Sequence, residues 1–265
     1  MQVRAKRSLG QNFLRDSAVI EQIVGALELT KDDTVIEIGP GLGALTGQLV
    51  QEAGSVVAVE FDRDMVALLH TAFADADNLT IVNTDALKLD FAGILKTADK
   101  VKLVANLPYN ISTPILQRLS EQRHLFSQLV LMFQREVVDR ITAKAGAKHR
   151  GFLSVLVENA FETRNLFDVS PTAFHPVPKV WSSVVRLIPK TSEIENEKLF
   201  REIVSTSFAQ KRKTIFNNLK IKYEHAAETL ASVEIDGMRR AETLTLPDWA
   251  ALTTALDQTK KAGKP

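Results

Sequence analysis

The sequence predicts an α/β fold: a doubly wound sheet of parallel strands, followed by a small C-terminal helical domain. Three observations lead there. Short apolar runs recur at residues 34–38, 56–60, 79–83, 101–105 and 128–133. Helical-period stretches separate several of them, at 42–53 and 63–74. From Glu197 onward the pattern is helical only. Strands alternating with helices imply βαβ units, whose crossovers cover both faces of a parallel sheet and make its strands almost continuously apolar.

Taken in order, the first element is a helix over 17–29. Ile20, Ile23, Val24 and Leu27 share one face, behind Asp16 or Ser17 as cap. The five strands and their connecting helices follow as far as residue 133. Beyond 134 the spacing predicts helices at 135–143 and 152–161 and further strands at 165–169 and 180–188, the latter pair separated by a loop carrying Pro171, Pro176 and Pro178. Residues 189–196 read as a linker, which sets domains at 1–189 and 190–265. The second domain has helical patterns at 199–209, 226–230 and 247–256. Trp181 and Trp249 are expected to be packing residues.

Composition narrows the classes. Absence of cysteine excludes disulfides and thiolate metal sites and points to a reducing compartment. The histidines at 70, 124, 149, 175 and 225 have no metal-ligand spacing, so no metal is expected. Residues 1–7 lack the apolar core of a signal peptide, and no segment approaches the ~20 apolar residues that span a bilayer. A cytoplasmic protein without membrane association is the expectation. The net charge of +1 hides an asymmetry: residues 31–103 hold 6 bases against 12 acids, and residues 104–265 hold 23 against 17. Residues 1–15 add four bases and no acid. Basic segments of this kind suit phosphate neutralisation on a nucleic acid.

The loop Glu37-Ile-Gly-Pro-Gly-Leu-Gly-Ala44 follows the first predicted strand and opens a helix. Its glycines allow a tight turn and close approach of a ligand to the backbone. The segment also fits Gly-x-Gly-x-x-Ala, so a dinucleotide site is an open reading, and Glu60 would grip a ribose hydroxyl under either one. Two later features separate the readings. Asp85 follows the third strand, where a carboxylate can accept from the amino group of a bound adenine. Asn106-Leu107-Pro108-Tyr109 follows the fourth. The Asn106 side-chain oxygen and the Leu107 carbonyl are acceptors, and Pro108, with its φ held near −65°, helps aim that carbonyl outward. Together they would grip an –NH2 group and free its lone pair for alkylation, with Tyr109 stacked on the base. Hydride transfer has no use for such a turn. The combination predicts a Rossmann-like S-adenosylmethionine methyltransferase domain with S-adenosylmethionine as cofactor.

Over most of its length the chain closely resembles the adenosine dimethyltransferases of small-subunit ribosomal RNA. The resemblance rests on Gly10-Gln-Asn-Phe-Leu14, the glycine loop, Asn106-Leu-Pro-Tyr109, Gln134-Arg-Glu-Val-Val-Asp-Arg140, Phe174-His-Pro-Val-Pro-Lys-Val-Trp-Ser182 and Phe208-Ala-Gln-Lys-Arg-Lys-Thr-Ile-Phe-Asn-Asn-Leu219. It implies that Asn12, Leu14, Gly39, Glu60, Asp85 and Asn106 bind the cofactor. It implies too that Phe174 forms the second face of an aromatic clamp with Tyr109. The reaction implied is the transfer of two methyl groups to each of two adjacent adenosines near the 3′ end of small-subunit ribosomal RNA, within an immature subunit, by a monomer. Lys211, Arg212 and Lys213 read either as a solvated helix face or as an RNA-backbone contact, and the flanking Phe208, Thr214, Asn217 and Asn218 favour RNA. The chain departs from the family pattern at Ala145, Arg150 and Phe216, which puts particular RNA contacts in doubt.

Other readings are a large-subunit ribosomal RNA adenosine methyltransferase of the macrolide-resistance type, a ribosome-assembly binding factor, and a transcription factor derived from this fold. The basic C-terminal motif and Pro176-Val-Pro-Lys-Val180 favour the small-subunit group, and the intact Asn-Leu-Pro-Tyr turn argues against lost activity.

Overall fold

Buried apolar strands that lack a polar face must be covered on both sides, and the computed structural model, which describes residues 6, 10–95, 101–108 and 111–262, shows how. The chain opens with β1 (Phe13–Leu14), α1 (Ser17–Gly25), β2 (Thr34–Ile38), α2 (Thr46–Glu52), β3 (Ser55–Glu60) and α3 (Arg63–Ala72). It continues through β4 (Leu79–Asn83), α4 (Phe91–Ile94), β5 (Val101–Asn106), α5 (Ser112–Glu121) and β6 (Phe126–Gln134). Next come α6 (Arg135–Ile141), α7 (Phe152–Ala160), β7 (Phe161–Val169), β8 (Phe174–His175) and β9 (Ser182–Pro189). The last helices are α8 (Glu197–Ser207), α9 (Ile215–Leu219), α10 (Ala226–Ser232) and α11 (Leu246–Ala262). Among the described residues, no helix is long and apolar enough to cross a membrane.

Seven strands make one mixed sheet in the order β4-β3-β2-β5-β6-β9-β7. The first five run parallel, and β9 runs antiparallel between β6 and β7. Val35, Val56, Val104 and Val130 pack with Val24, Leu27 and Leu49 of the α1–α2 region on one face. Residues of the other parity, Ile36, Val57, Leu103 and Leu129, are buried as well. The strand order reverses between β2 and β5, and in such sheets ligands bind outside the carboxyl ends at that switch point.

Two boundaries differ from the sequence reading for visible reasons. Helix α2 begins at Thr46 rather than 42, because Gly43 has a φ of +83° and sits with its Cα against the Phe73 ring, where a Cβ would lie 2.5 Å away. Strand β7 begins at Phe161, which the pattern assigned to the preceding helix. Phe161 is buried and pairs with Pro189 of β9.

The chain divides into two compact units, Met1–Val138 with Phe161–Pro189, and Asp139–Ala160 with Lys190–Pro265. The segment 139–160, inside the first domain in the sequence reading, groups with the helical unit. Val155 and Leu156 of α7 join Phe200, Ile203, Leu230 and the fully buried Trp249 in that unit's core. Arg150 anchors the same segment. Its buried guanidinium donates to the carbonyls of Ala143 (2.9 Å) and Leu244 (3.2 Å) and pairs with Glu158 at 2.6 Å. The departure at Arg150 is thus structural, since a side chain closed off from solvent offers nothing to a phosphate. Trp249 meets the expectation of a packing residue, whereas Trp181 is 49% exposed.

Candidate active site

Strand register gathers the site. Ile38 of β2 lies level with Val59 of β3 and Ala105 of β5, so the next residues, Gly39, Glu60 and Asn106, emerge side by side at the carboxyl edge. Asn83 of β4 is level with Glu60, and Thr84 and Asp85 follow it. Gly39, Glu60, Thr84, Asp85 and Asn106 line a cavity of about 260 Å³, with Asn12, Leu14, Leu107, Pro108 and Phe174. Tyr109 lies outside the described residues. Every other residue expected at the cofactor and acceptor positions is on this one cavity wall.

Gly39, with a φ of +73°, turns the chain over the sheet edge, and its N–H donates to the Val59 carbonyl at 2.9 Å. A side chain there would project toward the Asn106 carbonyl, 3.8 Å from the Cβ position. Glu60 holds the same loop from below: its carboxylate accepts from the Gly41 N–H at 3.1 Å and the Asp62 N–H at 2.8 Å. Burial pushes the Glu60 carboxyl above its ordinary range, against the opposing pull of those N–H groups. Each carboxylate oxygen offers two lone-pair directions, so both can accept a further donor such as a ribose hydroxyl. Asp85 is fixed by a bond from the Leu87 N–H to its Oδ1 at 2.9 Å.

The amide of Asn106 is oriented by the N-terminal segment. Its Nδ2 donates to the Asn12 carbonyl at 3.4 Å, which leaves Oδ1 as the acceptor of the group. Asn12 is held there because β1 and β8 form a two-stranded antiparallel ribbon, with Leu14 opposite Phe174, tied further by Arg15 N–H to the Ala173 carbonyl at 2.8 Å. Three separated sequence motifs therefore meet at one point.

Three further residues on the wall had no assigned role. Glu37 is buried and accepts from the Thr46 hydroxyl at 2.6 Å, while burial, reinforced by the nearby Glu60 charge, pushes its carboxyl up to about 7. Phe61 faces the cavity and is 61% exposed, an apolar plate on the wall that carries Glu60 and Asp85. Gln11 donates to Asp62 at 3.0 Å and accepts from the Lys6 N–H at 2.8 Å, while the Lys6 ammonium bonds both Asp62 and Asp64 at 2.6 Å. The adjacency of Phe61 to Glu60 is the one signal that could have found it in the sequence.

In the helical unit, Lys211, Arg212 and Lys213 occupy the turn between α8 and α9 rather than a helix face. Asn218, buried, shapes this turn: it accepts from the Gln210 N–H and donates to the Gln210 carbonyl, both at 3.2 Å. Asn217 bonds Thr214, the cap of α9, at 2.9 Å. The asparagines are thus occupied in building the turn. All three basic side chains are exposed, and among the described residues none is paired with a carboxylate.

The family model for ribosomal RNA adenine dimethylase matches residues 2–258. The chain belongs to that family. It is accordingly a methyltransferase that uses S-adenosylmethionine. Similar proteins include the ribosomal RNA small subunit methyltransferase A of Clostridium botulinum (strain Loch Maree / Type A3), 41% identical over 257 residues that cover 94% of this chain and 93% of the relative. Among solved structures, a dimethyladenosine transferase from Plasmodium falciparum superposes with a TM-score of 0.81 at 26% identity, covering 94% of this chain and 98% of that one. The 23S rRNA methyltransferase ErmE gives 0.69 at 26% identity, covering 93% and 100%.

The wall suits the family's methyl donor. A glycine loop with no Cβ to fill its cradle, a buried carboxylate with lone pairs to spare and a second carboxylate at the next strand end match an amino acid, a ribose and an adenine in turn. Glu60→Ala should weaken S-adenosylmethionine binding by roughly 10- to 100-fold and Asp85→Ala by about tenfold, from charge-assisted bonds of about 1.5–3 kcal/mol. Glu60 has the larger effect because it also holds Gly41. Calorimetric titration checks this, and unchanged affinity in both variants would refute the assignment of these carboxylates to the donor.

Proposed function

We propose that this chain methylates the exocyclic amines of two adjacent adenosines near the 3′ end of small-subunit ribosomal RNA, converting each to dimethyladenosine during ribosome biogenesis. The observation that carries the reading is the Asn106 amide, its Nδ2 engaged by Asn12 and its Oδ1 left to accept, on the same wall as Glu60 and Asp85. The small-subunit relative at 41% identity and the better superposition on a dimethyladenosine transferase support this choice of RNA over the large-subunit alternative.

The target base leaves its stack to reach the cavity, as bases must for chemistry on their ring substituents. Asn106 Oδ1 and the Leu107 carbonyl accept the two amino hydrogens, which turns the nitrogen lone pair toward the donor. Phe174, and Tyr109 from the other side, hold the base plane. Bound S-adenosylmethionine supplies an electrophilic methyl group. With the donor held there, the nitrogen–carbon bond would form as the methyl–sulfonium bond breaks and the thioether leaves, and the extra proton on nitrogen would pass to water afterwards, so no residue need act as a strong base. Orientation and acceptors prearranged for positive charge on nitrogen supply the rate. The enzyme works in the cytoplasm as a monomer on an immature subunit, and Lys211, Arg212 and Lys213 hold RNA phosphates.

Asn106→Ala should reduce turnover by far more than tenfold while RNA binding persists. Methyl incorporation assayed beside particle binding checks this. A turnover within tenfold of the parent would contradict it, since ~1.4 kcal/mol is too little for a catalytic acceptor.

Neutralising Lys211, Arg212 and Lys213 together should weaken RNA binding and flatten its salt dependence by roughly 0.7–0.9 in log–log slope for each lost phosphate contact. Affinity for small-subunit particles across several salt concentrations decides the point, and an unaltered slope would remove this turn from the RNA-binding surface.

A further inference from the structure

The loop between β8 and β9 exposes three apolar side chains within five residues: Val177 at 61%, Val180 at 43% and Trp181 at 49%. Single exposed apolar residues are ordinary, but a cluster that includes a tryptophan marks a contact surface. Lys179, in the same loop, is exposed and, among the described residues, has no carboxylate partner.

The position of Trp181 is fixed by the sheet. The Arg135 N–H donates to the Trp181 carbonyl at 3.0 Å, just past the pairing of Gln134 with Ser182. Met132, two residues before Gln134, is level with Asn106. Met132 is also level with Val184 of β9, so two strand spacings and three residues of rise set the Trp181 backbone about 14 Å from that of Asn106, at the same carboxyl edge of the sheet. Trp181 thus lies on the edge where the acceptor pocket opens, seven residues after Phe174 of β8, which lines that pocket.

We propose that Trp181 is a stacking platform for a base of single-stranded RNA neighbouring the adenosine in the pocket, with Lys179 facing the adjoining phosphate. The inference rests on the reading that the pocket takes an adenosine of ribosomal RNA. An aromatic plate beside an unpaired cation is the pairing that single-stranded nucleic acid selects, because every base has a π-face and every linkage a charge. Unstacking the target adenosine also frees the faces of its neighbours, and Trp181 replaces one of the lost stacking contacts.

Tryptophan fluorescence tests this directly, because the chain has two tryptophans and Trp249 is fully buried. The probe is a short single-stranded oligoribonucleotide with two adjacent adenosines, added to the full-length protein. Quenching is expected in the parent and its loss in Trp181→Phe, which keeps a stacking ring and binds within about threefold of the parent. Trp181→Ala should lose roughly 5- to 100-fold in RNA affinity and raise KM for small-subunit particles by a similar factor, with kcat changed far less. Emission indifferent to the RNA, or parental affinity in the alanine variant, would overturn the proposal. Quenching by intact particles but not by the oligoribonucleotide would assign Trp181 to a protein partner and overturn it equally. Methyl transfer is scored separately: a parent that methylates no adenosine refutes the functional reading, while the fluorescence result still decides the stacking.

Discussion

The parallel register of β4, β3, β2, β5 and β6 is the constraint on which the rest of the first unit depends. A strand buried on both faces cannot slip by one residue without turning its whole side-chain set over. Because β2, β3 and β5 are locked in that way, Gly39, Glu60 and Asn106 leave the sheet at one level. The chemistry needs a donor's methionine, ribose and adenine in a row and an amine acceptor beside them. In the proposed assignment, neighbouring strand ends supply that row at the spacing of a sheet, without any long-range device.

What the sheet cannot supply is the rotation of the Asn106 side chain. That comes from outside it, through the Asn12 carbonyl, and Asn12 is positioned by the ribbon of β1 and β8. The ribbon couples Leu14, proposed to face the donor, to Phe174, proposed to face the base. Disturbing either strand should therefore reach both substrates. Lys6 and Gln11 fasten the same segment to Asp62, two residues past the carboxylate assigned to the ribose.

Much of this was legible in the sequence because strand-end motifs need only apolar runs to be located. Gly39, Asp85 and Asn106 each follow such a run and Glu60 ends one, and each lines the cavity. The ribbon was not legible, since two residues per strand have no period. Helix α5 was missed for another reason: Pro114 looks like a helix breaker, yet it falls in the first turn, where its missing N–H has no partner to lose. Arg150 looked like a surface change and is a buried anchor. Trp181 looked like a packing residue and is exposed. In both cases burial depends on contacts far away in the chain, to which local composition is blind. Placing 139–160 in the helical unit likewise depends on what Val155 and Leu156 touch, not on where the segment lies in the chain.

In the proposed reaction, one sheet edge presents a methyl donor to an adenosine amine of small-subunit RNA. Small-subunit particles from a strain lacking this protein, incubated with the purified chain and S-adenosylmethionine, test it most directly when the RNA is digested and mapped by mass spectrometry. Dimethyladenosine is expected at two adjacent positions near the 3′ end and at no other adenosine. Methyl groups on other bases, on distant adenosines or on large-subunit RNA instead would contradict it.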